Sequence, residues 1–227
     1  EGLVQSWKDI FPKKGEIHFA GALENNEDTG TLQYLASTAM EAGFSTRVLD
    51  MQALDLQNGR FFDPAGELVN RCFKLYPWEW MVDESPDGCL AEMEWLEPIW
   101  KLVMSNKAIL ATLYELFPDS PYVLPCYLSR PRSGLFCKKP VFSREGHNVS
   151  VVDIRDWEEY VRIAETEGDY NTGAYVYQEY VEPTAYSCRY PVIGSWIIGG
   201  EAAGIGIREN RMEVTDNLSE FVPHIIG

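Results

Sequence analysis

Basic residues are scarce in this chain, and long apolar runs are missing. Its 227 residues include 19 Lys and Arg against 35 Asp and Glu, which gives a formal net charge of −16. A basic footprint for nucleic acid is therefore excluded, whereas a cationic partner such as a polyamine is allowed. No segment approaches the roughly 18 apolar residues of a transmembrane helix, and no basic start followed by an apolar run marks a signal peptide. We expect a cytoplasmic protein without a membrane partner.

Paired cysteines and common catalytic signatures are also missing. The five cysteines are an odd number, lie far apart and form no CxxC pair, so neither a disulfide framework nor a zinc site is indicated. His18, His147 and His224 show no metal-ligand spacing. The chain contains neither a Walker motif, GxxxxGK[ST], nor a nucleophile elbow, GxSxG. We therefore predict buried reduced thiols and no metal site made by this chain alone.

Hydrophobic periodicity predicts an α/β fold. Residues 16–22 alternate like a strand, residues 31–42 carry apolar side chains at helical spacing, and residues 45–49 predict a second strand. This order is a β-α-β unit, which builds parallel sheets. The first seven residues follow a helical pattern and do not begin with Met. We expect that an upstream part is missing, processed or on another chain.

Further along, the sequence predicts short strands joined by turns. Asn58-Gly59 is typical of a tight hairpin. Helices are predicted over 92–100, 106–117 and 157–164. Beyond about residue 130 strand patterns dominate, so a subdomain boundary is predicted there.

The most informative segment is Phe136 to Gly146, which collects cations in an acidic chain. It contains Lys138, Lys139 and Arg144 with a hydroxyl and a terminal glycine. Cations beside a backbone that permits close approach suit a phosphate. Two interpretations stay open: an anion-binding loop, or a surface hairpin whose charges are solvated.

Two later segments carry weaker signals. Residues 177–181 predict either a plain strand or a strand whose backbone recognises an adenine edge. Arg208 ends an apolar Gly-x-Gly-x strand, where burying an unpaired charge would be costly, so it needs a carboxylate or a ligand as partner.

Taken together, six ordered motifs resemble the glutathionylspermidine synthase family, and within it the bacterial relatives of the ATP-grasp synthetase domain that lack the amidase. The similarity runs from about residue 16 to the end. The motifs are FKLYPWEWM (73–81), SNKAIL (105–110), KKPVFSREGHNV (138–149), YQEYV (177–181), YPVIGSWIIGGEAAGIGIRE (190–209) and FVPH (221–224). The resemblance implies a pre-ATP-grasp-like portion over 1–100, an ATP-grasp lid or small subdomain over 101–182, and the C-terminal part of the ATP-grasp core sheet over 183–227.

The resemblance also implies an activity. Enzymes of this kind phosphorylate a carboxylate with ATP, and an amine then attacks the acyl phosphate to form an amide. The acid is glutathione-like and the amine polyamine-like. Arg144 and Arg208 would be catalytic, holding the carboxylate and the developing negative charge. Glu27 and Asp28 would bind the amine. The implied nucleotide-binding residues are Lys107, Lys139, Glu145, Gln178, Glu179, Tyr180, Val181, Glu213, Val214 and Thr215.

One departure from the family pattern separates two hypotheses. The family's magnesium ligands lie in a segment of EYNAD type, which this sequence lacks, so Mg²⁺ ligands are expected upstream or on a partner chain. The first hypothesis is an ATP-dependent carboxylate–amine ligase. The second is a truncated or degenerate ATP-grasp relative that acts as a binding or structural module in an assembly.

Overall fold

The structure, a computed structural model, describes residues 1–156, 159–170, 173–214 and 219–225. It is a mixed α/β fold with parallel and antiparallel sheets. The chain divides into two compact units, Glu1–Leu102 with Ile197–Ala203, and Val103–Trp196 with Gly204–Gly227. No helix in the described residues is long and apolar enough to cross a membrane. The assignment of 1–100, 101–182 and 183–227 to parts of an ATP-grasp enzyme stays a prediction.

The first unit contains a four-stranded parallel sheet, ordered β2-β1-β6-β7, and a small antiparallel sheet, ordered β3-β4-β5. Turns of 3-10 helix cover Met51–Ala53 and Ile99–Lys101. The other elements are α1 (Gly2–Ile10), β1 (Glu16–Gly21), α2 (Asn26–Glu41), β2 (Ser45–Asp50), β3 (Asp55–Gln57), β4 (Arg60–Phe62), β5 (Leu68–Val69), β6 (Arg71–Leu75), α3 (Trp78–Glu84), α4 (Pro86–Cys89) and β7 (Glu94–Leu96).

The predicted β-α-β unit is confirmed. Strand β1 is buried because helices and neighbouring strands cover it, and Ile17 and Phe19 are its core residues. Helix α2 begins earlier than predicted, since the Asn25 side chain accepts a hydrogen bond from the Glu27 amide at 2.9 Å and caps the first turn. It ends before Gly43, whose φ of +92° suits glycine.

Two predicted helices are wrong. Residues 94–96 form β7, because Glu94 and Trp95 join β6 in a parallel ladder and the Trp95 ring packs edge-on against Trp78. In the second unit, residues 160–165 form β11, which pairs with β10 (Ser150–Ile154). Residues 157–158 of that predicted helix lie outside the described residues.

The second unit contains a five-stranded antiparallel sheet, ordered β11-β10-β9-β12-β8, and a three-stranded sheet, ordered β13-β14-β15. Strand β9 therefore lies at the centre of the larger sheet, and the predicted basic loop follows it. The elements after β7 are α5 (Leu102–Ser105), α6 (Ala108–Leu116), β8 (Cys126–Tyr127), β9 (Gly134–Pro140), β10, β11 (Tyr160–Glu165), β12 (Tyr175–Glu179), β13 (Tyr190–Ile198), β14 (Glu201–Asn210) and β15 (Glu220–Val222).

Candidate functional site

The two neighbouring lysines of β9 point to opposite faces of the sheet, as strand alternation requires. Lys139 lies opposite Val176 of β12. Its ammonium donates a hydrogen bond to Oε1 of Gln178, which lies on the same face, at 2.7 Å. On the other face, Nζ of Lys138 lies 4.0 Å from the ring centroid of Tyr175. The structure thus brings together two predicted nucleotide-binding residues, Lys139 and Gln178, that are 39 positions apart.

Two thiols share the face of Lys139. Cys137 precedes it by two positions on β9, and Cys126 lies opposite Gln178 on β8. Burial raises the pKa of both thiols, and the nearby Lys139 charge opposes this shift in each case. Both cysteines are therefore protonated at neutral pH, which agrees with inert thiols.

Lys107 is held against the basic loop. Its amide donates to the Val141 carbonyl at 2.8 Å, and its ammonium donates to the backbone carbonyl of Ser143 at 2.5 Å and to the Ser143 hydroxyl at 3.0 Å. Lys107 comes from the turn before α6, whereas Ser143 follows β9. The ammonium therefore joins two separate segments of the predicted nucleotide site.

The loop itself has a defined shape. The Arg144 carbonyl accepts from the His147 amide at 2.9 Å, and Glu145 and Gly146 both have positive φ, +54° and +74°. Positive φ is uncommon for a residue with a side chain. Arg144 and Glu145 are thereby placed on one tight turn.

Residues that the sequence analysis did not single out anchor this loop. Asn148 donates to the Gly168 carbonyl at 2.8 Å and accepts from the Tyr170 amide at 2.8 Å. The Thr166 hydroxyl donates to the Gly146 carbonyl and accepts from the Val149 amide. Asn148 also has a φ of +56°. The available signal was the residue type, because Asn tolerates positive φ and bonds nearby backbone groups.

The end of β12 uses two of its backbone donors within the protein. The Glu179 amide donates to the Pro125 carbonyl at 2.8 Å, and the Tyr180 amide donates to the Leu135 carbonyl at 3.0 Å. Among the described residues, no carbonyl accepts from the Val181 amide, and the Val181 side chain is 59% exposed. Of these three amides, only that of Val181 is open to an added acceptor.

Tyr180 and Glu213 are also brought together. The Tyr180 hydroxyl donates to a Glu213 carboxylate oxygen at 2.7 Å. Burial, and then the hydrogen bond to Glu213, raise the pKa of Tyr180. Val214 lies beside them in sequence, and its carbonyl accepts from the buried Asn210 amide group at 2.8 Å. Thr215, predicted for the same pocket, lies outside the described residues.

Arg208 lies on β14 opposite Phe221 of β15. Its guanidinium carbon is 5.9 Å from the Phe221 ring centroid, within reach of a cation–π interaction. The sequence predicted a carboxylate or a ligand as the partner of this charge. Among the described residues, the structure places the aromatic face of Phe221 beside it instead.

Glu27 and Asp28 belong to the first unit and lie in the first turn of α2. Acidic side chains there complement the helix dipole, so the structure gives them a local stabilising role. Their use in amine binding stays a prediction. Magnesium ligation finds no support in the part of the chain that the structure describes, where no group of three or more His, Cys, Asp or Glu could hold a metal ion.

Comparison with known proteins identifies the family. The sequence profile named Glutathionylspermidine synthase preATP-grasp matches residues 1–227. The chain belongs to this family. It is 33% identical over 236 residues to a Haemophilus influenzae protein named "Putative acid–amine ligase", covering 99% of this chain and 60% of that protein.

More distant relatives carry more specific names. The chain is 27% identical to the trypanothione synthetase of Crithidia fasciculata, over 91% of this chain and 35% of that protein. It is 26% identical to the bifunctional glutathionylspermidine synthetase/amidase of Escherichia coli, over 100% of this chain and 41% of that protein. The chain thus spans 60% or less of the length of these three relatives.

Proposed function

We propose that this chain is part of an ATP-dependent carboxylate–amine ligase of the glutathionylspermidine synthase type. It would join a peptide-like acid to a polyamine-like amine. One observation carries the proposal: the 2.7 Å contact that sets Lys139 and Gln178 on one face of the central sheet. Family membership adds support, since relatives of this chain are named as acid–amine ligase and glutathionylspermidine synthetase.

The residues of the second unit fit a nucleotide. The Lys139 ammonium would contact phosphate, and Lys107 would hold Ser143 beside it. The adenine edge would be recognised by the Val181 amide, since the amides of Glu179 and Tyr180 already donate to carbonyls of the protein. Tyr180, joined to Glu213, would close the pocket. When bound, ATP would supply the phosphoryl group that makes one oxygen of the acid's carboxylate part of a phosphate leaving group, which the amine then displaces.

The charged side chains then orient the two substrates. Arg144 and Arg208 would hold the carboxylate and balance negative charge as it develops, because fixed guanidinium donors act most strongly where charge appears. Glu27 and Asp28 would attract the cationic amine. Magnesium does not fit the described residues of this chain. Its ligands, in this proposal, come from another segment or a partner chain.

A second candidate is a binding or structural module that keeps the fold without turnover. The exposure of Trp100 (61%) and of its neighbour Ile99 (41%) favours it, because adjacent exposed apolar side chains are typical of interaction surfaces. Two tryptophans earlier in the same unit are less exposed, Trp78 at 4% and Trp80 at 39%. The Lys139–Gln178 contact would then be purely structural.

Calorimetric titration with ATP, with and without Mg²⁺, tests the proposal. The wild-type chain is compared with Lys139→Ala, and with Lys138→Ala as the matched control on the other face of the sheet. We expect saturable binding that Lys139→Ala weakens at least tenfold and Lys138→Ala leaves within about twofold. An equal loss of ATP affinity in both variants would indicate a general effect of removing a positive charge. Absence of binding in the wild type would favour the structural module.

A further inference from the structure

A cavity of about 800 Å³ lies in the first unit, at the edge of the parallel sheet where its strands begin. Its lining includes Glu16, Arg71 and Glu94, which are the first residues of β1, β6 and β7. Glu27 and Asp28 follow the opposite end of β1. The volume is in the range of small-molecule sites, and the proposed ligase residues do not line it.

A buried histidine lies in this cavity. His18 is 1% exposed, and neither of its ring nitrogens has a hydrogen-bond partner among the described residues. The nearest carboxylate oxygens, of Glu16 and Asp63, are 3.7 and 3.9 Å from Nε2, beyond hydrogen-bond distance. Arg47 binds both carboxylates.

Burial lowers the pKa of His18, with Arg47 acting in the same direction and the carboxylates of Glu16 and Asp63 opposing it. The imidazole is therefore neutral at pH 7, with one donor and one acceptor nitrogen. A buried polar group without a hydrogen-bond partner destabilises the fold. His18 thus indicates that the cavity takes an occupant with a polar group.

Charged side chains of both signs line the cavity, and they differ in exposure. The Arg71 side chain is 18% exposed, whereas the carboxylates of Glu92 and Glu94 are on side chains 76% and 62% exposed. Arg71 is fixed: it stacks 4.8 Å from the Phe11 ring centroid and donates to the Lys13 carbonyl at 2.9 Å. The Arg71 cation is therefore more buried than the carboxylates of Glu92 and Glu94. Each carboxylate already has one oxygen, Oε2, paired with an arginine: that of Glu92 with Arg60 at 2.9 Å and that of Glu94 with Arg71 at 2.7 Å.

Two further features define the shape. At Gly15 an added Cβ would lie 3.3 Å from Nη1 of Arg71, so a small residue there allows the guanidinium its position. Leu68, Ala91 and Met93 add an apolar wall. Nε of Arg71 lies only 2.7 Å from Oε2 of Glu94. A ligand that matches both residues therefore needs adjacent charges of opposite sign, and the apolar wall favours a ligand that also has an apolar part.

We propose that this cavity binds an α-amino acid with an apolar side chain. Its carboxylate faces the Arg71 guanidinium and its ammonium group faces Glu92 and Glu94. The apolar side chain lies along Leu68 and Met93, and a polar group of the ligand or a retained water completes the hydrogen bonds of His18. The binding needs no covalent step.

Three probes of one carbon skeleton test the charge requirement: L-leucine, 4-methylpentanoate, which lacks the ammonium group, and 3-methylbutylamine, which lacks the carboxylate. Each is titrated into the chain labelled with ¹⁵N in its histidines, and the His18 ring signals are followed. We expect saturable shifts with L-leucine and at least tenfold weaker binding of the other two. Equal effects of all three probes, or none from L-leucine at 10 mM or so, would overturn the proposal.

Variants separate this site from unspecific binding. Arg71→Met should weaken L-leucine binding at least tenfold, and Glu94→Gln about threefold to tenfold. Arg162→Met, which removes an arginine paired with Glu165 in the second unit, is the matched control and should bind as the wild type does. If Arg71→Met does not fold, the L-leucine affinity of Glu94→Gln tests the site, because the Glu94 side chain is largely exposed. Unchanged L-leucine affinity in Glu94→Gln and, where it folds, in Arg71→Met would contradict the site.

Discussion

The ammonium of Lys139 donates to Oε1 of Gln178 at 2.7 Å, across two neighbouring strands of the central sheet. The contact fixes a flexible side chain in one position. Lysine loses considerable rotamer entropy when it is ordered, so a lysine that is already positioned binds phosphate with less entropic loss. Preorganisation of this kind is a general route to affinity.

Replacing the acceptor tests that argument. Gln178→Leu keeps the approximate volume but removes the oxygen that positions Lys139. We expect nucleotide affinity to fall by about fivefold, which corresponds to about 1 kcal/mol for one hydrogen bond. Gln33→Leu, on the exposed face of α2 in the first unit, is the control for an added apolar side chain. Calorimetric affinities equal to that of the wild type in both variants would refute a positioning role for Gln178.

Asn210 is predicted to stabilise the segment that carries Glu213. It is 5% exposed, and its side chain donates to the Val214 carbonyl and accepts from the Arg211 amide, both at 2.8 Å. Asn210→Ala removes both bonds, so we expect a loss of about 1–3 kcal/mol in the free energy of unfolding. Asn210→Asp keeps the acceptor and loses the donor. Urea denaturation should rank the wild type above both variants, because Asn210→Asp also sets a buried carboxylate against the Val214 carbonyl oxygen. A loss below about 0.5 kcal/mol for Asn210→Ala would mean that the segment needs no such anchor.

Gly168 is predicted to be required for the shape of the basic loop. A Cβ at this position would lie 2.5 Å from Cβ of His147 and 2.9 Å from Oδ1 of Asn148. Gly168→Ala should therefore cost about 1–3 kcal/mol through overpacking. At Gly204 an added Cβ meets nothing within 4 Å, so Gly204→Ala should change stability by about 0.5 kcal/mol or less. Thermal denaturation of the two variants compares them directly, and equal midpoints would count against the crowding argument.

Local pattern was sufficient for the parts of the fold in which neighbours in sequence decide the structure. The β-α-β unit over residues 16–50 and the strands on either side of the basic loop follow from periodicity and turn residues. The strand at 94–96 does not follow from the local pattern. Its partner is Arg71 to Phe73, more than twenty positions away, and Trp95 is held by Phe61 and Trp78. A long-range ladder overrode the local helical preference.

In the candidate site, too, the sequence predicts which residues matter but not how they contact one another. Residue types and the family resemblance indicated Lys107, Lys139 and Gln178 separately. Their contacts depend on the register of β9 against β12 and on the position of α6, which no local pattern specifies. The sequence around His18 shows no metal-ligand spacing and gives no other signal, because the cavity beside it lies at an edge of the sheet made by three distant strands.

His18 leads to a prediction about pH. Its pKa in the folded chain is lowered from 6.5, chiefly by burial. Between the folded and unfolded values the unfolded chain binds more protons, so stability rises with pH in that range. The contribution of neutral His18 to the free energy of unfolding is fully present above about pH 6.5. It is lost as the pH falls towards the pKa that His18 has in the folded chain. The urea midpoint of the first unit should therefore be lower at pH 5.5 than at pH 7.5.

The nearby Asp63 does not produce the same effect in this pH range. Backbone hydrogen bonds from Glu67 and Ala65, together with Arg47, lower the pKa of Asp63 below 3.8, so its stabilising contribution is present above about pH 3.8 and is lost only below it. His18→Gln, which cannot be protonated, should flatten the dependence between pH 7.5 and 5.5. Should that variant fail to fold, the ¹⁵N signals of His18 in the wild type show directly at which pH the ring titrates. A ring that titrates at or above pH 6.5 would show that Glu16 and Asp63 outweigh burial, and the acid-side loss of stability would need another source.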